Sequence, residues 1–395
     1  MLYSQGKTEC TPAQANYDES RLDTLHNHFQ GLIDDGTLHC AMYCLSRRGK
    51  VFAHGGIGYR TYRKDPVSPT DIQWIASVTK VFTAVAIMKL VEDGITRLDV
   101  PVAEILPQFD TPPFNGVTLY QLLTHTSGMH TDPGCFENKY QTNYWQMIDN
   151  AYRLHDPEKD GDFDWIAAAL AANGSGLRVK PGTEWAYCSF GYVILGAVIG
   201  KLAGIHAYQY IEDFICRPLG LNDTRFKLTK EMAKRSIMSD AAAEKNLNAI
   251  IAGTFQSDWV SDKLDIPATS GALHGTAWDM VRFGNMMLHG GTFGDARILG
   301  RKAVEKMTAV ALELPDYCWN PSGGLRKYGI GFDHRNGPQF IFSDSTYMHE
   351  GAGACNLYID PQEEMVAAWI VPYAKEGWFP QAMFNACNII WSGIK

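Results

Sequence analysis

Apolar positions recur at helical spacing from Arg21 to Ile33, and the pattern stops at Asp35-Gly36, where a glycine can close a helix. The next stretch, LHCAMYCLSRRGKVFAHGGIGYR, divides into two β-rich runs joined by Arg47-Arg48-Gly49-Lys50, which predicts a hairpin. From Val78 to Val91 nearly every position is apolar. This predicts a helix over 77–93, buried on most sides and closed at Asp93-Gly94. Between 96 and 265 the pattern is mostly helix and loop, with LYQLLTHTSG as a short helix and FGYVILGAVIGKLAG as an apolar one. Beyond 265 the character changes. TAWDMVRFGNMMLHGG reads as an amphipathic helix, and YGIGFDHR, YMHEGAGACNLYID and EMVAAWIVPYA read as strands. QAMFNACNIIWSGI is predicted to close the chain as a helix.

Strands at both ends around a helical middle predict an α+β fold, in which an antiparallel sheet is flanked by helices. The expected organisation is a polar N-terminal tail over 1–20, a sheet lobe from 21–95 and 266–395, and a mostly helical lobe over 96–265. An aromatic-rich insertion occupies 130–165.

Composition narrows the function classes. The 395 residues are 46% hydrophobic and 20% charged, ordinary for a globular enzyme and unlike a disordered chain. A formal charge of −8 with no basic stripe argues against nucleic acid. No apolar run reaches 18 residues and the first twenty positions lack an apolar leader, so neither membrane nor secretory route is expected. The cysteines number nine, are scattered and form no CxxC pair. That points to a reduced, cytoplasmic setting without a disulfide framework. His26 and His28 have no matching ligands and no HExxH occurs, so neither a metal nor a cofactor is expected.

The candidate chemistry begins in IASVTKVFTAVAIMKL. Ser77 and Lys80 stand one turn apart on one helical face at the start of this apolar helix. A serine is a poor nucleophile until a base takes its proton, and a lysine serves as that base only when its surroundings favour the neutral amine. Ser-x-x-Lys also occurs at Ser4–Lys7 and Ser392–Lys395, but without a buried helix. On these residues alone, a capping serine with a snorkelling lysine explains the pair equally well. Two further segments bear on the choice. KPGTEWAYCSFGYVILG sets Tyr187-Cys188-Ser189 before an apolar helix, and YMHEGAGACNLYID sets His349-Glu350-Gly351 on a strand ending in small residues.

Together with VTLYQLLTHTSGM, RPLGLNDTRF and SGALHGTAWDMVRFGNMMLHGG, these motifs make residues 21–395 resemble the serine β-lactamase and penicillin-binding-protein superfamily. The resemblance is to the class C β-lactamase-related branch of esterases and transesterases. It implies a β-lactamase/transpeptidase-like fold, with Ser77 as acylated nucleophile, Lys80 as proton acceptor and Tyr187 as proton shuttle. It also implies an oxyanion hole from the backbone N–H groups of Ser77 and Ala352. Gly351 to Ala354 are small enough to let a substrate approach the strand edge.

Two departures matter. β-Lactam-binding relatives usually carry Lys-Thr/Ser-Gly where this chain has His349-Glu350-Gly351, and class C enzymes have asparagine where Ser189 stands. A neutral imidazole beside a carboxylate is a poor anion receptor, and serine lacks an amide to hold an acylamino group. The expected activity is therefore esterase or acyltransferase chemistry on an ester, thioester or amide. The partners would be a small, natural-product-like substrate and an acyl acceptor or a carrier-bound acyl thioester. A β-lactamase or D-Ala-D-Ala peptidase, and an acyl-binding sensor without turnover, are the alternatives. His349, Glu350, Gly351, Ser189, Tyr144 and Trp145 are the candidate substrate-binding residues. The aromatics Tyr140, Tyr144, Trp145 and Trp165 either wall a cleft or pack the helical lobe. His125 is expected to order its loop, and Cys188 to be a packed core thiol.

Overall fold

The computed structural model describes residues 2–132, 144–156, 158–171, 176–255, 264–316, 318, 324–335, 337–375 and 377–395. Six strands form one antiparallel sheet: β1 (Tyr3–Gln5), β2 (Cys40–Arg47), β3 (Lys50–Gly58), β4 (Tyr347–Gly351), β5 (Cys355–Asp360) and β6 (Met365–Ile370). Their spatial order is β1-β3-β2-β6-β5-β4. The predicted hairpin is β2–β3, with Arg47 opposite Lys50. Arg48 and Gly49 turn it at φ 53° and 75°, the left-handed pair that matches strand twist. The stretch read as a polar tail contributes β1, which pairs Tyr3 with Ile57 along the edge of β3.

β2 reads as an unbroken apolar run because both faces of the sheet are covered. Met42 and Cys44 face the inner cluster, while Ala41, Tyr43 and Leu45 face the outer one. On the outer side lie α1 (Ser20–Asp34) and the C-terminal helix α5 (Ala386–Trp391). On the inner side lies α4 (Ala277–Leu288), capped by Thr276. Beyond it are the two most apolar helices, α2 (Thr79–Glu92) and α3 (Ser189–Ala203). One continuous apolar cluster runs from the inner sheet face through α2 and α3 into the helical region, so the two lobes share a core. Among the described residues no single helix is long and apolar enough to cross a membrane.

YGIGFDHR is not a regular strand. Only isolated bridges form, Tyr328 to Asp333 and Asp333 to Met348, while Gly331 bends the chain at φ 80° against Ala84. The strand in this region lies just upstream, at Leu325–Tyr328, and pairs with Leu312–Pro315. YMHEGAGACNLYID is two strands rather than one, β4 and β5, folded back through Ala352–Ala354.

Candidate active site

The α2 helix begins two residues later than expected. Ala76–Val78 make a 3₁₀ turn, and the α-helix proper starts at Thr79. Ala76 sits at φ 47°, a left-handed conformation that costs a non-glycine residue about 1–3 kcal/mol. The neighbouring loop holds it there. Ile75 N–H donates to Leu273 O at 2.9 Å, Leu273 N–H donates to Thr79 Oγ1 at 3.1 Å, and Thr83 Oγ1 donates to Thr269 O at 2.7 Å. As a first-turn group, the N–H of Ser77 has no intrahelical acceptor by position.

Lys80 is wholly buried. Its Nζ lies 3.1 Å from Ser77 Oγ, 3.0 Å from Ser189 Oγ and 2.8 Å from Ser270 O. The ring of Tyr187 stands over it at 4.7 Å and that of Tyr192 at 5.6 Å. The structure thus brings together Ser77, Lys80, Tyr187 and Ser189. Ser189 was a candidate substrate ligand, yet its hydroxyl is turned inward, onto Lys80 and onto Asp132 Oδ2 at 2.5 Å. It belongs to the lysine's surroundings.

His125 orders the tyrosine segment, as its loop position suggested. Its Nδ1 accepts from Cys188 N–H at 3.1 Å, its carbonyl accepts from Ala186 N–H at 2.8 Å, and its ring lies 4.4 Å from that of Tyr187. Burial, and then the charge of Lys80, keep this imidazole neutral, with the proton on Nε2. Cys188 is buried, and its thiol is pushed up to about 12 by burial first and the Asp132 charge second, so it is an inert core thiol.

β4 divides its side chains between two faces. His349 lies on the catalytic side, its ring 6.4 Å from that of Tyr187, and donates from Nδ1 to Glu350 O at 2.8 Å. Burial, and next the Lys80 charge, bring it down to about 3, so it is neutral at physiological pH. Glu350 lines the same cleft as Ser77. Its carboxylate is committed to Arg335 Nη1 at 3.0 Å and Tyr358 OH at 2.5 Å. Gly351 lines it too. A Cβ there would stand 2.4 Å from Ile75 O, and one at Gly353 would stand 2.3 Å from Trp74 O. These glycines let the strand end close on the nucleophile segment. Ala352, between them, lines the same cleft as Ser77.

That cleft holds about 1020 Å³ and runs from Ser77 past Tyr187 and His349 to Trp378 and Phe384. Trp165 is fully buried in its helix and packs the core. Tyr140, and the side chains of Tyr144 and Trp145, lie outside the described residues; the backbone of the latter two opens the helix Tyr144–Leu154. Two groups that sequence reasoning missed are Asp132 and the Ser270 carbonyl. The first follows the short helix by several residues of patternless loop, and the second is a main-chain atom that no side-chain motif marks.

Known proteins share this geometry's framework. The Beta-lactamase family model matches residues 25–381. Protein flp of Staphylococcus aureus (strain MW2) is 32% identical over 224 residues, which are 55% of this chain and 40% of the length of that relative. A penicillin-binding-protein homologue from Caulobacter crescentus superposes with a TM-score of 0.72 at 19% identity, covering 98% of this chain and 100% of its own. EstCE1, a hydrolase with promiscuous acyltransferase activity, also gives 0.72 at 19% identity, covering 94% and 99%. At such identities the structural likeness establishes the fold.

Proposed function

The chain belongs to the Beta-lactamase family of serine hydrolases, and from that premise we propose that it is an esterase or acyltransferase working through an acyl-Ser77 intermediate on neutral acyl substrates. The observation that carries the reading is Lys80 Nζ, without solvent exposure, 3.1 Å from Ser77 Oγ and beneath the Tyr187 ring.

Ser77 Oγ attacks the acyl carbon while its proton passes to the neutral amine of Lys80. The carbonyl oxygen gains the displaced electron pair and meets the N–H groups of Ser77 and Ala352. Such donors contribute roughly 3–4 kcal/mol each where measured. On collapse of the tetrahedral species the bond to the leaving group breaks, and that group takes a proton delivered through Tyr187. Water or an alcohol then repeats the sequence in reverse and frees Ser77. The electrostatics favour uncharged substrates. The strand position that seats a β-lactam carboxylate in relatives holds neutral His349. Of the cleft-lining cations, Arg326 and Arg335 are already paired with carboxylates, while exposed Lys327 is not paired among the described residues. The aromatic end of the cleft, Trp378 and Phe384, suits a bulky apolar group.

Intact-protein mass spectrometry with p-nitrophenyl esters, acyl thioesters and β-lactams tests this. Ester and thioester acyl groups are expected to add to the wild-type chain, and Ser77→Ala is expected to show neither adduct nor turnover. Full turnover by Ser77→Ala would remove the mechanism. Efficient hydrolysis of a chromogenic cephalosporin would replace the neutral-ester reading with a β-lactamase one.

A further inference from the structure

Asp132 reaches the catalytic lysine through one hydroxyl. Its Oδ1 accepts from Ser189 N–H at 2.7 Å and its Oδ2 from Ser189 Oγ at 2.5 Å. Ser189 Oγ in turn lies 3.0 Å from Lys80 Nζ. A hydroxyl has one proton, and here it goes to the carboxylate, so Ser189 Oγ is an acceptor toward Lys80. The Ser270 carbonyl, 2.8 Å away, can only accept as well. Two of the tetrahedral directions at Nζ that do not lead to carbon are therefore fixed as N–H donors. The third leads to Ser77 Oγ at 3.1 Å. In the neutral amine that third direction is the lone pair.

The geometry points to Asp132 as a positioning residue, one that fixes the Ser189 hydroxyl and thereby aims the Lys80 lone pair at the Ser77 hydroxyl. This rests on the acyl-enzyme reading above and adds to it the group that selects one of the amine's rotational states. Without the carboxylate, Ser189 is free to donate its proton to Nζ, and the lone pair is then spent on a group that does no chemistry. The charge has a second effect. A carboxylate one hydroxyl away favours ammonium, so it raises the pH at which Lys80 and Tyr187, titrating as a coupled pair, release the proton that blocks attack. Among the described residues, the rings of Tyr187 and Tyr192 lie over Nζ, and the imidazoles His125 and His349, both held neutral chiefly by burial, feel the Lys80 charge. Asp132 is the carboxylate that joins Lys80 through Ser189. Burial pushes its own carboxyl upward, opposed by the Lys80 charge and the bonds from Ser189.

Asp132→Asn tests this in the whole chain. The amide oxygen keeps the bond from Ser189 N–H, while its NH₂ now donates to Ser189 Oγ and reverses the hydroxyl. Against a p-nitrophenyl ester, the plateau of kcat/KM is expected to fall about 10- to 100-fold. The acid limb of the pH profile is expected to move down by about one pH unit or more. In a Ser189→Ala background Asp132→Asn should add little, because its route to the lysine has been cut. Should Asp132→Asn not fold, comparing Ser189→Ala with Ser189→Thr tests the same route. The alanine is expected to lose rate and the threonine, which keeps a hydroxyl, to regain most of it. A wild-type plateau and acid limb in Asp132→Asn, or equal losses with and without Ser189, would overturn the inference, as would a Ser189→Ala rate equal to wild type. Mass spectrometry separates the two levels. A wild-type chain that never acquires an acyl group on Ser77 defeats both readings, whereas acylation with an unmoved pH profile in Asp132→Asn defeats only this one.

Discussion

Two buried cation clusters flank strand β4, and they are built on opposite plans. On one side Arg326 meets Asp316 at 3.4 Å and also contacts Asp333. Arg335 bridges Asp333 at 3.5 Å and Glu350 at 3.0 Å. Each guanidinium there touches carboxylates directly, and Arg326 also lies 4.7 Å over the Trp185 ring. On the other side, Lys80 Nζ meets two hydroxyls and a carbonyl, with the carboxylate of Asp132 one hydroxyl further out. Direct pairing with a permanently charged guanidinium locks a charge in place. An amine among neutral acceptors, with its counter-charge at one remove, can give up and regain a proton without stranding an opposite charge beside it. The first plan builds a wall. The second keeps a base.

The contrast can be broken from either side. The largest effect is expected for Lys80→Met, which should lower kcat for a p-nitrophenyl ester by at least about a hundredfold, within the range for positioned acid–base groups. The chain should still fold, because hydroxyls and a carbonyl are left behind. Stopped-assay kinetics and thermal denaturation together check this. Arg326→Met should do the reverse. It removes the Arg326 cation from buried Asp316, leaves Asp333 with Arg335, and is expected to cost about 3–5 kcal/mol of stability, the usual penalty for breaking a buried pair. Chemical denaturation reads that loss, while the pH profile of the protein that remains folded should keep its wild-type limbs. The smallest effect concerns His349. Its folded-state value of about 3 lies below the ordinary 6.5, so between those limits the unfolded chain binds the extra proton. Its contribution to stability is then full above pH 6.5 and fades as pH falls toward 3. His349→Gln should flatten that acid slope of stability while leaving the neutral plateau close to wild type.

Legibility in the sequence followed the same division. Features held by local chemistry could be read. The Arg48-Gly49 turn and the apolar runs of α2 and α3 each carry their cause within a few residues. The Ser77–Lys80 pair was legible because one helical turn forces proximity. Tyr187 was legible only through its motif and the family resemblance, since nothing local brings it to Lys80. What failed were assignments that depend on which way a side chain turns once two distant segments meet. Glu350 does line the cleft, but nothing in the sequence shows that Arg335 and Tyr358 engage its carboxylate. Ser189 read as a substrate ligand until Asp132 was seen behind it, and Asp132 sits in an irregular loop where no periodic pattern singles it out. Gly351 and Gly353 read as space for a ligand, yet the space is taken by the backbone at Ile75 and Trp74.

That last contact has a consequence for how the enzyme could change over time. The segments that carry the proposed amide donors, at Ser77 and Ala352, come from distant parts of the chain, and they meet where Gly351 and Gly353 close on the carbonyls of Ile75 and Trp74. On the proposed mechanism, other lining residues such as Trp378 and Phe384 can be exchanged to admit new acyl groups while that main-chain contact stays as it is. Chemistry and selectivity are mechanically insulated, and a scaffold so arranged can diversify its diet without retuning its reaction.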